Sequence, residues 1–340
     1  MHNQEHNVLI SDPTLRDGNH AVRHQLSCEQ IVAYATAANA AGVPIIEVGH
    51  GNGLGASSLQ VGLSKTDDKS ALEAARKAIT TSKLGVHVIP GFATIKKDLR
   101  LALDVGVDVF RIASHCTEAD ITERHISYIR EHGREVYGVL MMSHMASKEI
   151  LVEEASKMQA YGAEALVIMD SSGAYLPSDV KERIEALVDA LSIPVGFHGH
   201  NNLGMAIANS VMAVNSGATI IDGTARGFGA GAGNTQLEVL IAVFGKLGIK
   251  TGIDLYKMLD ASDLAEKELI EIIPTISSVS IVSGIAGVFS GYIKHVDRIA
   301  KEYGVDPRDV FFELGKRKVV AGQEDVIIEV ASALRDGKSR

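Results

Sequence analysis

Short apolar runs rich in Val and Ile alternate along the chain with longer segments in which apolar residues recur at helical spacing. This alternation predicts repeated strand–helix units. The runs that qualify as strands are Val8–Ser11, Ile45–Val48, Leu84–Ile89, Val107–Ile112, Val136–Met141, Ala165–Met169, Val195–His198 and Thr219–Ile221. Segments rich in Ala, Leu, Lys and Glu lie between them and predict crossover helices, for example Ser70–Thr80, Asp98–Asp104 and Ile150–Ala160.

Glycine recurs at the ends of predicted helices, in the phrases NAAGV, LDVGV, QAYGA and NSGA. Gly42, Gly106, Gly162 and Gly217 each stand where a helix has to end before the next strand begins. Eight strand–helix units within about 230 residues favour a closed parallel barrel over an open doubly wound sheet. Periodicity alone does not prove that the sheet closes.

Beyond Leu247 the strand pattern stops, and residues 253–340 show helical spacing around a centre rich in Ser and Gly. We therefore predict an α/β protein with two domains. Residues 1–262 are expected to form a (β/α)8 TIM barrel, and residues 263–340 a C-terminal α-helical domain.

The charge pattern argues against a polyanionic partner. The chain has 340 residues, with 33 basic and 42 acidic side chains that are scattered rather than clustered, and a formal charge of −9. This pattern predicts no binding of nucleic acid. Since no apolar stretch reaches the roughly 18 residues of a membrane span, no membrane association is expected either.

The cysteines and the N-terminal residues indicate the cellular compartment of the protein. Cys28 and Cys116 are the two cysteines, and neither belongs to a C-x-x-C pair, which excludes a disulfide framework. The first seven residues, MHNQEHN, lack the charged and apolar regions of a signal peptide. Together these features predict a cytoplasmic protein.

Candidate chemistry follows two of the predicted strands. In a barrel of this kind the residues directly after the strands meet at one face. The segment DPTLRDGNH follows the first strand at residues 12–20, and HGHNN ends the seventh at residues 198–202. Residues two apart in an extended strand point the same way, so His198 and His200 present their rings to one side.

With Asp17 from the first loop, His198 and His200 predict a three-point metal site that leaves positions open for water or substrate. The mixed nitrogen and oxygen set suits Mn²⁺, Co²⁺, Fe²⁺ or Zn²⁺ and does not choose among them. An isolated H-x-H is more often a pair of ordinary surface or core histidines. For Arg16 the ordinary alternative is a structural salt bridge with Asp17 or with another carboxylate.

Two glycine-rich runs also follow strands. Residues 227–234, GFGAGAGN, lack the lysine of a phosphate-binding P-loop and the spacing of a dinucleotide fingerprint. They predict a close backbone approach near the metal instead. Residues 49–55, GHGNGLG, either shape the same mouth or form a flexible loop.

Taken together, these motifs resemble the metal-dependent barrel lyases and synthases that include isopropylmalate synthase and 3-hydroxy-3-methylglutaryl-CoA lyase. The resemblance is closer to the 4-hydroxy-2-oxovalerate aldolase family, which are pyruvate-specific class II aldolases, and it runs from about residue 8 to residue 300. The segments that carry it are DGNH at residues 17–20, EVGHG at 47–51, SHCTEAD at 114–120 and GAGAGNT at 229–235.

The resemblance implies that Mn²⁺, with Co²⁺ or another divalent ion as alternatives, is held by Asp17, His198 and His200. The substrate would be a 4-hydroxy-2-oxo acid, cleaved to pyruvate and an aldehyde. Arg16 would stabilise the pyruvate enolate, and His20 would take the proton of the C4 hydroxyl. The residues implied in substrate binding are Arg16, Asp17, Ser171 and His198.

Two residues differ from the family pattern at positions that would contact the substrate or the aldehyde product. Phe289 stands where the family has a substrate-contacting tyrosine, so either the hydroxyl is dispensable or the nearby Tyr292 supplies it. His87 stands where relatives have an aliphatic residue on the aldehyde side. It predicts a polar or longer aldehyde, unless its side chain points elsewhere.

The sequence also allows two alternative functions and a partner protein to be considered. A CoA-dependent lyase or Claisen-type synthase on the same barrel is disfavoured because residues 227–234 contain no cysteine. A non-catalytic partner protein would have no chemical reason to keep five reactive side chains together. The resemblance implies an acylating aldehyde dehydrogenase as partner, with the C-terminal domain as contact and active-site cover. Residues 276–293 provide that contact or pack as ordinary helix.

Overall fold

The computed structural model describes residues 7–320 and 322–337. Within this part of the chain, eight parallel strands pair in sequence order and close into a barrel, with the last strand beside the first. The strands are β1 Leu9–Leu15, β2 Ile45–Val48, β3 Lys83–Val88, β4 Val109–His115, β5 Glu135–Met141, β6 Ala165–Asp170, β7 Val195–Gly199 and β8 Ile220–Asp222. The predicted barrel and its strands are confirmed.

The first strand is longer than its apolar run. It continues through the segment predicted as a loop because the polar side chains there find partners inside the protein. The amide of Thr14 donates to Asp12 Oδ1 at 2.9 Å, and the hydroxyl of Tyr34 donates to Asp12 Oδ2 at 2.6 Å. A buried polar residue with its hydrogen bonds satisfied is compatible with a strand, so the loop begins only at Arg16.

Helices wrap the barrel and connect its strands. They are α1 Cys28–Ala41, α2 Asp68–Ala78, α3 Arg100–Val105, α4 Glu123–Glu131, α5 Lys148–Ala160, α6 Pro177–Ala190, α7 Ala206–Asn215 and α8 Leu237–Leu247. Gly42 and Gly106 end α1 and α3 with φ of 84° and 90°, in the left-handed region that a side chain disfavours. Gly162 and Gly217 have φ of 108° and 100°, so the predicted glycine stops are confirmed.

The C-terminal part is helical, as predicted. Its helices are α9 Leu255–Glu268, α10 Ser278–Ala286, α11 Ile293–Tyr303, α12 Pro307–Lys316 and α13 Asp325–Arg335. Helix α9 packs on α1 and shares the barrel's hydrophobic core. The helices after it have a core of their own, which includes Val288, Phe311 and Ile327. No helix in residues 7–320 or 322–337 is long and apolar enough to cross a membrane.

Two glycines in helices give a matched test of the C-terminal packing. A Cβ at Gly315 in α12 would lie 2.4 Å from the carbonyl oxygen of Ala286, the last residue of α10, whereas a Cβ at Gly245 in α8 meets no described residue within 4 Å. Alanine has the higher helix propensity, so Gly245→Ala should stabilise the protein by about 0.5–1 kcal/mol. We expect Gly315→Ala to destabilise it by about 1–3 kcal/mol through overpacking.

Thermal unfolding followed by circular dichroism measures both changes. The melting temperature should rise slightly for Gly245→Ala and fall for Gly315→Ala. Equal rises in the two variants would show that α12 does not need a bare Cα where it meets α10.

Candidate metal centre and active site

Three predicted ligands converge at the carboxyl end of the barrel. Asp17 begins a short 3-10 turn after β1, His198 lies in β7, and His200 follows β7 directly. All three are buried. One carboxylate oxygen and one ring nitrogen from each histidine lie within 4.8 Å of one another. The structure therefore brings together the three residues that strand-end reasoning selected.

The donor set fits a divalent cation. The Nδ1–H of His198 donates to Asp222 Oδ2 at 2.9 Å, which leaves Nε2 as a lone-pair donor facing His200 Nε2 at 3.4 Å. A carboxylate behind a ligating histidine is the usual arrangement at metal sites. Burial lowers the pKa of His200 to about 3, against the attraction of Asp17. Its ring is therefore neutral and able to bind a metal.

Asp17 stays ionised in this buried position. Burial acts to raise the pKa of Asp17, but Arg16 and the nearby imidazoles hold it well below its usual value. The guanidinium of Arg16 donates to Asp17 Oδ1 at 2.9 Å, and the side-chain amide of Asn234 donates to Asp17 Oδ2 at 2.5 Å. The carboxylate is thus oriented from both sides before any ligand is present.

The glycine-rich run makes the predicted close approach. A Cβ at Gly229 would lie 2.6 Å from Asp17 Oδ2 and 2.3 Å from Asn234 Nδ2. A Cβ at Gly18 would collide in the same way with the ring of Phe228, at 2.2 Å. A side chain at Gly229 would push the carboxylate and its partner amide apart, and one at Gly18 would displace the ring of Phe228, so both positions need glycine.

Arg16 makes both of the salt bridges that were the ordinary alternative for it. Its Nε–H donates to Glu47 Oε1 and its Nη1–H to Asp17. Within the described residues its Nη2 is buried and has no hydrogen-bond partner. An unpaired buried guanidinium nitrogen is costly unless an anionic group completes it. Arg16 is therefore held by carboxylates on one side and remains able to bind an oxyanion.

A chain of buried charges lies beneath these residues. Arg111, which has no exposed surface, forms ion pairs with Asp222 Oδ2 at 2.6 Å and with Glu47 Oε2 at 3.2 Å. It therefore links the carboxylate behind Arg16 to the carboxylate behind His198. Sequence reasoning gave none of these links. The available signal was a charged residue inside a predicted apolar strand, which requires a buried partner.

His20 stands at the other side of the site. It ends the turn that starts at Asp17, and burial lowers its pKa to about 4, with Asp17 acting to raise it. The ring is therefore neutral near pH 7 and can accept a proton. Its edge faces Phe289 at 6.4 Å between ring centroids. His20 and Phe289 both line a cavity of about 1390 Å³.

Ser171 also lines this cavity, and it is buried. Its hydroxyl accepts the amide of Met142 at 3.0 Å. Tyr292 does not bring a hydroxyl to the site in place of the missing family tyrosine. Its hydroxyl donates to the carbonyl of Val320 at 2.5 Å and accepts the amide of Gln323 at 3.0 Å, so it ties C-terminal segments together.

His87 lies inside the barrel rather than along the cavity. It is paired in register with Arg111 on β4, and burial lowers its pKa well below the usual value. Ile89, two residues further on, lines the cavity instead. The structure thus favours the reading in which His87 points away from the aldehyde side.

The carboxylate behind His198 can be tested without an activity assay. We expect Asp222→Asn to weaken Mn²⁺ binding by about 10- to 100-fold because the imidazole loses its anionic support. Calorimetric titration of metal-stripped protein measures this. Asp189→Asn, on the exposed face of α6, is the control and should bind as the wild type does. Unchanged Mn²⁺ affinity in a folded Asp222→Asn protein would contradict the assignment.

Comparisons with solved structures support the fold. The N-terminal domain of a putative aldolase from Bacteroides vulgatus superimposes with a TM-score of 0.72 at 24% identity, covering 87% of this chain and 97% of that one. The carboxyl transferase domain of Rhizobium etli pyruvate carboxylase, solved with pyruvate and biocytin, gives 0.82 at 16% identity and covers 98% and 61%. At these identities the likeness concerns the fold alone.

Sequence comparisons reach further. The HMGL-like family matches residues 7–265, and the DmpG-like communication domain matches residues 274–336. A 4-hydroxy-2-oxovalerate aldolase of Pectobacterium atrosepticum is 65% identical, covering 96% of this chain and 95% of its own. Proteins of the same name from Spirochaeta aurantia and Streptomyces tendae are 63% and 60% identical, covering 98% of this chain and 98% and 94% of their own. The chain therefore belongs to the HMGL-like family and, within it, to the 4-hydroxy-2-oxovalerate aldolases, which are carbon–carbon lyases.

Proposed function

We propose that this protein cleaves a 4-hydroxy-2-oxo acid, 4-hydroxy-2-oxovalerate or a close relative, into pyruvate and an aldehyde by a metal-dependent retro-aldol reaction. One observation carries the proposal. Asp17, His198 and His200 converge beside the incompletely bonded guanidinium of Arg16, with the neutral ring of His20 at the same mouth. The names of its relatives supply the substrate class.

Asp17, His198 and His200 are the residues that would hold the ion, which we propose to be Mn²⁺, with Co²⁺ or another divalent metal as alternatives. When bound, it supplies a Lewis acid that polarises the 2-oxo group. The chain's own charges suit an anionic substrate at such an ion. In the linked set of ion pairs, the carboxylates of Asp17, Glu47 and Asp222 exceed the guanidinium groups of Arg16 and Arg111 by one. A divalent ion would leave this linked set with one net positive charge.

Arg16 and His20 carry the bond-breaking step. His20 accepts the proton of the C4 hydroxyl, whose oxygen becomes the aldehyde carbonyl as the C3–C4 bond breaks. The bonding electrons pass to C3 and the former 2-oxo oxygen, which forms the enolate of pyruvate. Arg16 donates to the oxygen on which negative charge develops. A proton from solvent then adds at C3 to give pyruvate.

Asp17, His198 and Ser171 complete the proposed substrate contacts together with Arg16. The hydroxyl of Ser171 accepts a backbone amide, so its hydrogen is available to a substrate oxygen. Phe289 at the family's tyrosine position implies that the reaction proceeds without that hydroxyl. The cavity beyond His20 gives the departing aldehyde a place to go.

We further propose that residues 263–340 act as an active-site cover and as the docking surface for an acylating aldehyde dehydrogenase. The match to the communication domain supports the partner. The ammonium of Lys294 donates to the carbonyls of Ala21 at 2.5 Å and His20 at 3.3 Å, so these helices hold the loop that carries the proton acceptor. Ile281 and Ile285 expose apolar surface on the adjoining α10.

A CoA-dependent lyase or Claisen-type synthase finds no support in the site. The glycine-rich loop at residues 227–234 has no cysteine. The thiol of Cys116 is buried and donates to the carbonyl of Met142 at 3.3 Å. Burial raises its pKa to about 12, which makes it a poor nucleophile.

A pyruvate-release assay tests the proposal. Metal-stripped protein is restored with Mn²⁺, Co²⁺, Mg²⁺ or Zn²⁺ and supplied with a series of 4-hydroxy-2-oxo acids, and lactate dehydrogenase reports the pyruvate. We expect Asp17→Asn and His200→Ala to lose both Mn²⁺ binding and turnover. His20→Ala should keep Mn²⁺ binding while kcat falls by about 10²- to 10⁴-fold, the usual contribution of a proton acceptor.

His132→Ala, an exposed position after α4, is the matched control and should turn over normally. Wild-type protein that releases no pyruvate from any of these acids with any of these metals would refute the proposed function. Normal turnover in Asp17→Asn would refute the assigned centre.

A further inference from the structure

Two more histidines lie beside His20, and the proposed reaction does not use them. The ring of His24 stacks on the ring of His50, with centroids 3.5 Å apart and planes inclined by 18°. The ring of His20 meets His24 edge-on at 5.2 Å. His24 and His50 are both buried in the protein. Such a pair needs a physical reason, because two imidazoles stacked this closely in the interior are unfavourable as two positively charged imidazolium rings.

Backbone hydrogen bonds fix the state of both rings. The amide of Gly51 donates to His24 Nδ1 at 3.3 Å, and the amide of Asn52 donates to His50 Nδ1 at 3.0 Å. On its other side His50 Nε2–H donates to the carbonyl of Gly62 at 3.1 Å. Each ring is therefore a neutral imidazole with its proton on Nε2, and together they hold two successive peptide units.

The peptide that His24 holds is the one on which the reactive residues rest. The carbonyl of Gly51 accepts a hydrogen bond from Arg16 Nη1 at 3.3 Å, and the ring of His20 lies close against the Cα of Gly51. A Cβ at Gly51 would lie 2.5 Å from His20 Cδ2 and 2.6 Å from His20 Nε2. Gly51 thus sets the position of the proton acceptor and of the guanidinium together.

The backbone at His24 is strained to make this arrangement. Arg23 and His24 have φ of 54° and 63°, in the left-handed region that few residues other than glycine adopt. The amide of His24 donates to the carbonyl of Asn19 at 2.7 Å, which ties this strained segment to the turn carrying His20. Strain of this kind persists where the surrounding structure demands it, and it concentrates at functional sites.

We propose that His24 is a positioning residue for the retro-aldol step. Stacked on His50, it holds the Gly51 peptide so that the Gly51 backbone, packed against the His20 ring, aligns that ring with Arg16. His24 itself touches no reacting atom. The inference rests on the proposed function, since it concerns the geometry of that reaction's proton transfer.

Two substitutions at His24 separate the hydrogen bond from the packing. His24→Phe keeps an aromatic ring on His50 and removes the acceptor for the Gly51 amide. His24→Asn gives up the ring but places an acceptor near the position of Nδ1, and asparagine tolerates the left-handed backbone. We expect His24→Phe to lower kcat by about 10- to 100-fold, the effect of a misplaced catalytic group. The Kd for Mn²⁺ should stay within about twofold, because the proposed ion site is formed by Asp17, His198 and His200.

His24→Asn should recover most of the kcat lost in His24→Phe. Equal losses in the two variants would show that packing alone matters and would overturn the inference. Wild-type kcat in a folded His24→Phe protein would overturn it as well.

Gly51→Ala provides an independent test if His24→Phe does not fold. The φ of Gly51 is outside the left-handed region, so alanine is permitted there and its Cβ meets the His20 ring. We expect a loss of kcat similar to that of His24→Phe, with Mn²⁺ binding preserved and Gly245→Ala as the control. Inactive wild-type protein would count against the proposed function, whereas active wild type with a fully active Gly51→Ala would count against the positioning role alone.

Discussion

The positions of the candidate active-site residues depend on a chain of buried ion pairs, in which Arg111 lies between Glu47 and Asp222. In a low-dielectric interior a charge is tolerated only beside its counter-charge, and removing one member of such a pair costs about 3–5 kcal/mol. Each member is therefore confined to a narrow position. Because Glu47 also binds Arg16 and Asp222 also binds His198, Arg16 and the proposed metal ligand His198 are held in narrow positions as well.

The chemistry of the site follows from this confinement. Asp222 selects the tautomer of His198 and leaves its Nε2 with a lone pair, while Glu47 bonds to the Nε of Arg16, whose Nη2 has no partner among the described residues. The linked ion pairs contain one more carboxylate than guanidinium, which favours a cation beside Asp17. Preorganisation of this kind lets charge develop on a substrate without reorganising the surroundings, which is where most electrostatic catalysis originates. The glycine-rich loops serve the same end by letting backbone approach the ligands.

Much of this could be predicted from the sequence because it depends on local pattern. Strand periodicity placed the barrel, and strand-end logic selected Asp17, His198 and His200. The features that the sequence did not predict depend on contacts between residues far apart in the chain. The continuation of β1 past Asp12 requires the hydroxyl of Tyr34, and the role of Arg111 requires carboxylates from two other strands. The stacked histidines and the capture of the Tyr292 hydroxyl by Val320 likewise have no signature in any short segment.

The most direct test of the account is the position of the ion itself. A crystal structure of the protein grown with Mn²⁺ and oxalate, a stable mimic of the pyruvate enolate, would locate the metal by its anomalous scattering. The account predicts one peak bonded to Asp17, His198 and His200, with oxalate on the metal and within hydrogen-bonding reach of Arg16. A peak bonded to other residues, or oxalate bound away from Arg16, would contradict it.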